Sequence, residues 1–104
     1  MGRKRRFTKE IRVGRIRIQY HEGIEKHIQK HENVSLSEAE EALNHRYVML
    51  FLGGRDYMFI TRNPYSGKFI TVFVEKLSES SYRLKTIRVS TPSEKRYYKK
   101  KVKH

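Results

Sequence analysis

The sequence contains no cysteine, which excludes disulfide bonds, thiolate zinc sites, iron–sulfur clusters and a cysteine nucleophile. Long apolar runs are missing too: the longest, residues 47–52, falls far short of the roughly 20 residues a membrane helix needs. Arg3-Lys4-Arg5-Arg6 is basic, but no apolar segment follows it as a secretory leader requires, so cytoplasmic residence is expected. Gly53-Gly54 lacks the strand–loop–helix setting of phosphate loops and nucleophile elbows. A metal site is not expected. His27 and His31 stand four apart, as zinc ligands can, but no third ligand accompanies them, and His21-Glu22 with His27 does not make the HExxH spacing.

Acidic residues are scarce. Eleven Asp and Glu face 24 Lys and Arg, for a formal net charge of +13 and a pI near 10.2. The surplus sits at the ends. Residues 1–9 and 95–104 carry five and six basic residues and no acid, whereas residues 10–94 hold thirteen basic and all eleven acidic groups. Blocks of like charge repel one another until a partner neutralises them, so a polyanion is the simplest use for both ends. The plain alternatives are tails that only maintain solubility, or arms that neutralise an acidic protein. A membrane surface would call for an amphipathic basic helix with large apolar residues opposite the charges, and none stands out.

With 104 residues, of which 37% are hydrophobic, the chain is long enough for one domain. Residues 11–20 alternate as a strand does, with Ile11 and Val13 in one phase and Ile16, Ile18 and Tyr20 in the other, so a bulge is expected at Gly14. Residues 21–31 read as a helix with a thin stripe at Ile24 and Ile28. A second helix opens on the capping box Ser35-Leu36-Ser37-Glu38, with Val34 stapling against Ala39 and a face of Leu36, Ala39 and Leu43. Apolar runs at 47–52, 57–62 and 69–75, separated by glycine-bearing turns, predict two hairpins, and residues 82–90 a fourth strand. Thr91-Pro92-Ser93-Glu94 starts a basic terminal helix. The expected fold is α+β: a helix pair, a four-stranded antiparallel meander and a basic C-terminal helix, with an extra N-terminal strand. Its organisation is a basic arm at 1–10, a domain at 11–98 and a basic tail at 99–104.

That order resembles the RelE-like superfamily of type II toxin–antitoxin systems, the BrnT-type toxins in particular. Three stretches carry the resemblance: Lys30-His31-Glu32-Asn33-Val34-Ser35-Leu36-Ser37-Glu38-Ala39 at the helix junction, Arg62 to Phe73 at a turn and its following strand, and Ile87-Arg88-Val89-Ser90 with Thr91, Glu94, Arg96 and Tyr98. Together they span roughly residues 20–98. Two departures stand out. Tyr20-His21-Glu22 replaces the family's aromatic-Asp-Pro, and Ser90-Thr91-Pro92 replaces its Ser-Ala-Arg, so Arg88 or Arg96 would have to stand in for that arginine.

The resemblance implies a metal-independent endoribonuclease without cofactors. It also implies RNA, ribosome-bound mRNA included, as substrate and a cognate DNA-binding antitoxin as partner; a homo-oligomer is left open. Metal-free cleavage uses the substrate's 2′-hydroxyl as nucleophile, and fixed cations must hold the charge that develops on phosphorus. The catalytic candidates are Arg62, Lys68 and Arg88, which the sheet could bring together, with His31 as acid or base, since histidine alone titrates near neutrality unaided. His31 could equally hydrogen-bond the loop at Glu32-Asn33, and Glu94 could be a base or only a helix cap. Nucleic-acid contacts are expected from Arg3, Lys4, Arg5, Arg6, Lys30, Arg96, Lys99, Lys100 and Lys101, with Tyr97 stacking on a base. The other reading is a DNA- or RNA-binding protein without catalysis.

Overall fold

The computed structural model describes residues 9–102, apart from the side chains of Gln29, His31 and Glu32. Its first element is a hairpin. Strands β1 (Lys9–Val13) and β2 (Ile16–Tyr20) pair antiparallel, Ile11 opposite Ile18 and Val13 opposite Ile16, around a turn in which Gly14 takes φ +59°. The single bulged strand expected for residues 11–20 is therefore two strands. A two-residue turn puts residues 13 and 16 on one face, and this is why the apolar phase changes there.

The helix pair follows: α1 (Glu22–Glu32), ending at Asn33 in the left-handed conformation, and α2 (Leu36–His45). The expected capping box is formed, with the Glu38 amide donating to Ser35 Oγ at 3.0 Å and the Ser35 amide to Glu38 Oε1 at 3.2 Å. The meander comes next: β3 (Tyr47–Gly53), β4 (Asp56–Arg62), β5 (Phe69–Ser78) and β6 (Ser81–Val89), each antiparallel to the one before. Helix α3 (Pro92–Lys101) closes the fold, with Thr91 and Glu94 forming its capping box. The stretch read as a basic tail from residue 99 is, through Lys101, the last turn of α3.

The described residues thus form an α+β fold, with three helices and one six-stranded, mostly antiparallel sheet in the order β1-β2-β6-β5-β4-β3. One pairing is parallel: β2 lies beside β6, Ile18 opposite Tyr82. The main core fills the sheet's front face. Ile11, Ile18, Phe59, Ile70, Val72, Val74, Leu84 and Ile87 meet Ile28 of α1 and Leu36, Ala39, Ala42 and Leu43 of α2 there. On the back face α3 packs across β3 and β4, burying Ile60 and Tyr98. Among the described residues no helix is long and apolar enough to cross a membrane.

Candidate nucleic-acid interface

At the end of the sheet where β4 turns into β5, Arg62 lies opposite Phe69 on the back face. Helix α3 passes over this corner and sets Tyr98 edge-on against Phe69, with ring centroids 5.8 Å apart. Three cations converge on the Phe69 ring: Arg62 Cζ at 5.1 Å, Lys95 Nζ at 5.6 Å and Lys99 Nζ at 5.5 Å from its centroid. Lys95 and Lys99 reach it together because residues four apart share a helix face. A ring's negative face attracts a cation by about 0.5–1 kcal/mol at exposed sites, so one ring can gather like charges that would otherwise separate. Among the described residues none of the three forms an ion pair with a carboxylate.

The turn beside them is held rigidly. Asn63 is 1% exposed and serves as its post. Its Nδ2 donates to Glu38 O and Glu41 Oε1, both at 3.0 Å, and its Oδ1 accepts from the amides of Tyr65 at 2.8 Å and Ser66 at 3.0 Å. Gly67, at φ +79°, then brings the chain back so that the Asn63 amide can donate to Lys68 O at 2.8 Å. At the tip Tyr65 stands 82% exposed, its ring uncovered by any of the described residues.

The expected trio of Arg62, Lys68 and Arg88 does not gather as a unit. Lys68 reaches the front of the sheet, where its Nζ donates to Asn33 O at 3.0 Å and pairs with the Glu38 carboxylate at 3.3 Å, pinning the turn to the helix junction. Arg88 shares the back face with Arg62, but it pairs with Thr71, two residues along β5 from Phe69. Strand spacings of about 4.8 Å and a rise of about 3.4 Å per residue put the two arginine Cα atoms roughly 12 Å apart. The Arg88 guanidinium forks onto Glu94, donating to Oε1 at 2.9 Å and Oε2 at 2.8 Å, and lies 4.9 Å from the Phe73 ring centroid.

Burial pushes the Glu94 carboxyl up. The hydrogen bonds from Arg88, the Thr91 amide and the Thr71 hydroxyl, with the charge of Arg88, outweigh it and bring the pKa down from 4.5 to about 2. A carboxylate this acidic is a poor proton acceptor at neutral pH, so its role here is to cap α3 and hold Arg88. Because the folded value is depressed, the stabilisation is present above the unfolded pKa near 4.5 and is lost as pH falls toward 2. With the side chain only 12% exposed, Glu94→Gln is expected to cost on the order of 2 kcal/mol at pH 7. Urea unfolding should also show a flatter loss of stability between pH 5 and 2 in the variant than in the wild type.

The remaining expected site residues are dispersed. Lys30 is exposed near the end of α1, and the side chain of His31 lies outside the described ones, as do Arg3, Lys4, Arg5 and Arg6. Arg96 is exposed and donates to Ser93 Oγ at 3.3 Å, and Lys100 is exposed on α3. Tyr97 is half-buried, with Lys101 Nζ 5.5 Å from its ring centroid. Of the expected nucleic-acid contacts among the described residues, Lys99 alone joins Arg62 at the Phe69 ring. Sequence reasoning missed Tyr65, Phe69 and Lys95. The four-residue spacing of Lys95 and Lys99 around Tyr98 was a usable signal for the last. No family model, curated protein or solved structure matches this chain.

Proposed function

We propose that the protein binds single-stranded nucleic acid, RNA in the first place. Phosphates would lie over Arg62, Lys95 and Lys99, and a base would stack on Tyr65. The observation that carries this reading is three cations around one ring, without carboxylate partners among the described residues, beside an exposed tyrosine on a rigid turn. Bare stacking rings favour strands whose bases are already unpaired, and each base stacked on an aromatic ring contributes about 1–3 kcal/mol. Beside Arg88, a shallow cleft of about 370 Å³ with Leu52, Phe73 and Thr86 in its walls leaves room for a base on the same face. Fluorescence anisotropy with labelled RNA should show affinity falling linearly in log–log form with salt, and duplex DNA binding more weakly. Equal affinity for a neutral backbone analogue would overturn the proposal.

The second reading is the toxin-like endoribonuclease with its cognate antitoxin. It is favoured by the order of helix pair, antiparallel meander and terminal helix that the resemblance implies. Arg62 is then the cation best placed to meet charge developing on phosphorus, since Glu94 already holds Arg88 and Glu38 holds Lys68. On this reading RNA is cut in EDTA, leaves 2′,3′-cyclic phosphate ends, and is spared by Arg62→Ala. Stoichiometric binding with intact RNA leaves binding alone.

A further inference from the structure

The two edges of the sheet are treated differently. At β1 the edge carries Lys9, Glu10 and Arg12, and α2 covers it: the Arg12 amide donates to Glu40 Oε2 at 2.9 Å and Asn44 Nδ2 donates to Arg12 O at 2.7 Å. At the other edge β3 lacks both the charges and the helix side chains bonded to its backbone, and a bulge between Phe51 and Gly53 is its one irregularity against β4. Its seven residues, Tyr-Val-Met-Leu-Phe-Leu-Gly, include no charge and no proline. Among the described residues nothing outside β4 donates to or accepts from its backbone. Met49, Phe51 and Leu52 are 45%, 61% and 48% exposed. Phe51 packs on Tyr57 on the front, whereas Leu52 lines the back-face cleft with Phe73. Apolar surface bare on both faces of an uncharged edge is suited to an added strand.

We propose that β3 pairs antiparallel with β3 of a second copy, across a two-fold axis at Leu50. That register spans Tyr47–Gly53, with regular pairing from Met49 to Phe51 and the bulge before Gly53 at either end. It sets Met49 opposite the partner's Phe51, Val48 opposite the partner's Leu52, and bulky Tyr47 opposite the partner's Gly53. An isologous contact has to match itself, and this strand does so without burying a charge. The strand offers no charged group with which to select a partner of different sequence. Arg46 and Arg55 flank it, and each copy carries +13, so association is opposed by like charge and strengthens with salt. One strand pair lies at the small end of the interface range, so a micromolar dimer is expected. The axis stands perpendicular to the sheet, and both back faces then look the same way.

The test needs no nucleic acid and is therefore independent of the RNA reading. Because the chain has no cysteine, Leu50→Cys introduces a single thiol, placed at the axis. A short bis-maleimide at 50–100 µM protein in 0.5 M NaCl should convert it to a covalent dimer, while Leu77→Cys, exposed near the end of β5, stays monomeric. Sedimentation of the wild type should show a mass that rises from monomer toward dimer with salt. Met49→Lys sits at an exposed position and should keep the circular dichroism of the wild type while abolishing both the dimer mass and the Leu50→Cys crosslink. A monomer at every salt, equal crosslinking at residues 50 and 77, or a dimer that Leu50→Cys fails to trap each overturns this seam.

Discussion

Replacing Lys95 and Lys99 together with glutamate is expected to weaken binding of single-stranded RNA by about a hundredfold at 0.1 M salt. Both ammonium groups stand at the Phe69 ring beside Arg62, free of carboxylate partners among the described residues. Each reversal removes a phosphate contact and puts a like charge where a phosphate would lie. Replacing the pair with alanine is gentler and more diagnostic. Single-stranded binding loses a log–log salt slope of about 0.7 per phosphate contact, so the slope should become shallower by about 1.4. Tyr65→Ala should instead cost about 1–3 kcal/mol with the slope unchanged, and Tyr65→Phe should retain the affinity, because the ring and not the hydroxyl does the stacking. Arg15→Glu with Lys26→Glu, two exposed positions away from α3 with the same total change of charge, is the control for net charge. Should it match the Lys95/Lys99 reversal, the effect belongs to overall charge and the proposed platform is wrong.

Asn63→Ala should be the most destabilising single polar substitution at this corner. The side chain makes four hydrogen bonds from a position 1% exposed. Alanine would leave the Tyr65 and Ser66 amides and the Glu38 carbonyl without their partner. Buried groups left unsatisfied cost about 1–3 kcal/mol each, less where water can enter, and about 3 kcal/mol in total is expected. In a domain of this size that lowers Tm by roughly 12–24 °C, readable by differential scanning calorimetry. RNA affinity measured well below the new Tm should fall as well, since Tyr65 and Arg62 would no longer be held by the turn. Asn63→Asp keeps the acceptor but loses both donor bonds and sets a carboxylate beside Glu41, so it should rescue neither property.

The elements that could be read from the sequence are those whose signals are local. Ser35 with Glu38 and Thr91 with Glu94 both form the expected boxes, because capping depends only on residues three apart. The meander followed from apolar runs broken by glycine-bearing turns, of which Gly53, Gly54 and Gly67 take positive φ. At Gly14 the same kind of signal was assigned to the wrong device: bulge and two-residue turn both shift the apolar phase by one, and only pairing distinguishes them. Long-range partners were out of reach. Nothing near Lys68 in the chain indicates that Glu38, thirty residues earlier, holds it. Glu94 is only six residues from Arg88, but that the helix start folds back onto the last strand is decided by packing and not by spacing. Tyr65 was hidden for the opposite reason. Its exposure depends on Asn63 being buried against α2, twenty-odd residues earlier in the chain.

The pairing of β2 with β6 has a consequence in time. On the side of β2 away from β1, Arg17, Ile18 and Gln19 find their neighbours in Ser81, Tyr82 and Arg83. During synthesis the first hairpin therefore emerges long before the strand it docks on exists. Contacts between such distant segments are slow to form, because the intervening chain must first be closed into a loop. The meander can assemble from neighbours alone, so it provides the template and the N-terminal hairpin joins last. Nascent chains halted before Ser81 should leave that hairpin open to proteases, and release of β6 should close it.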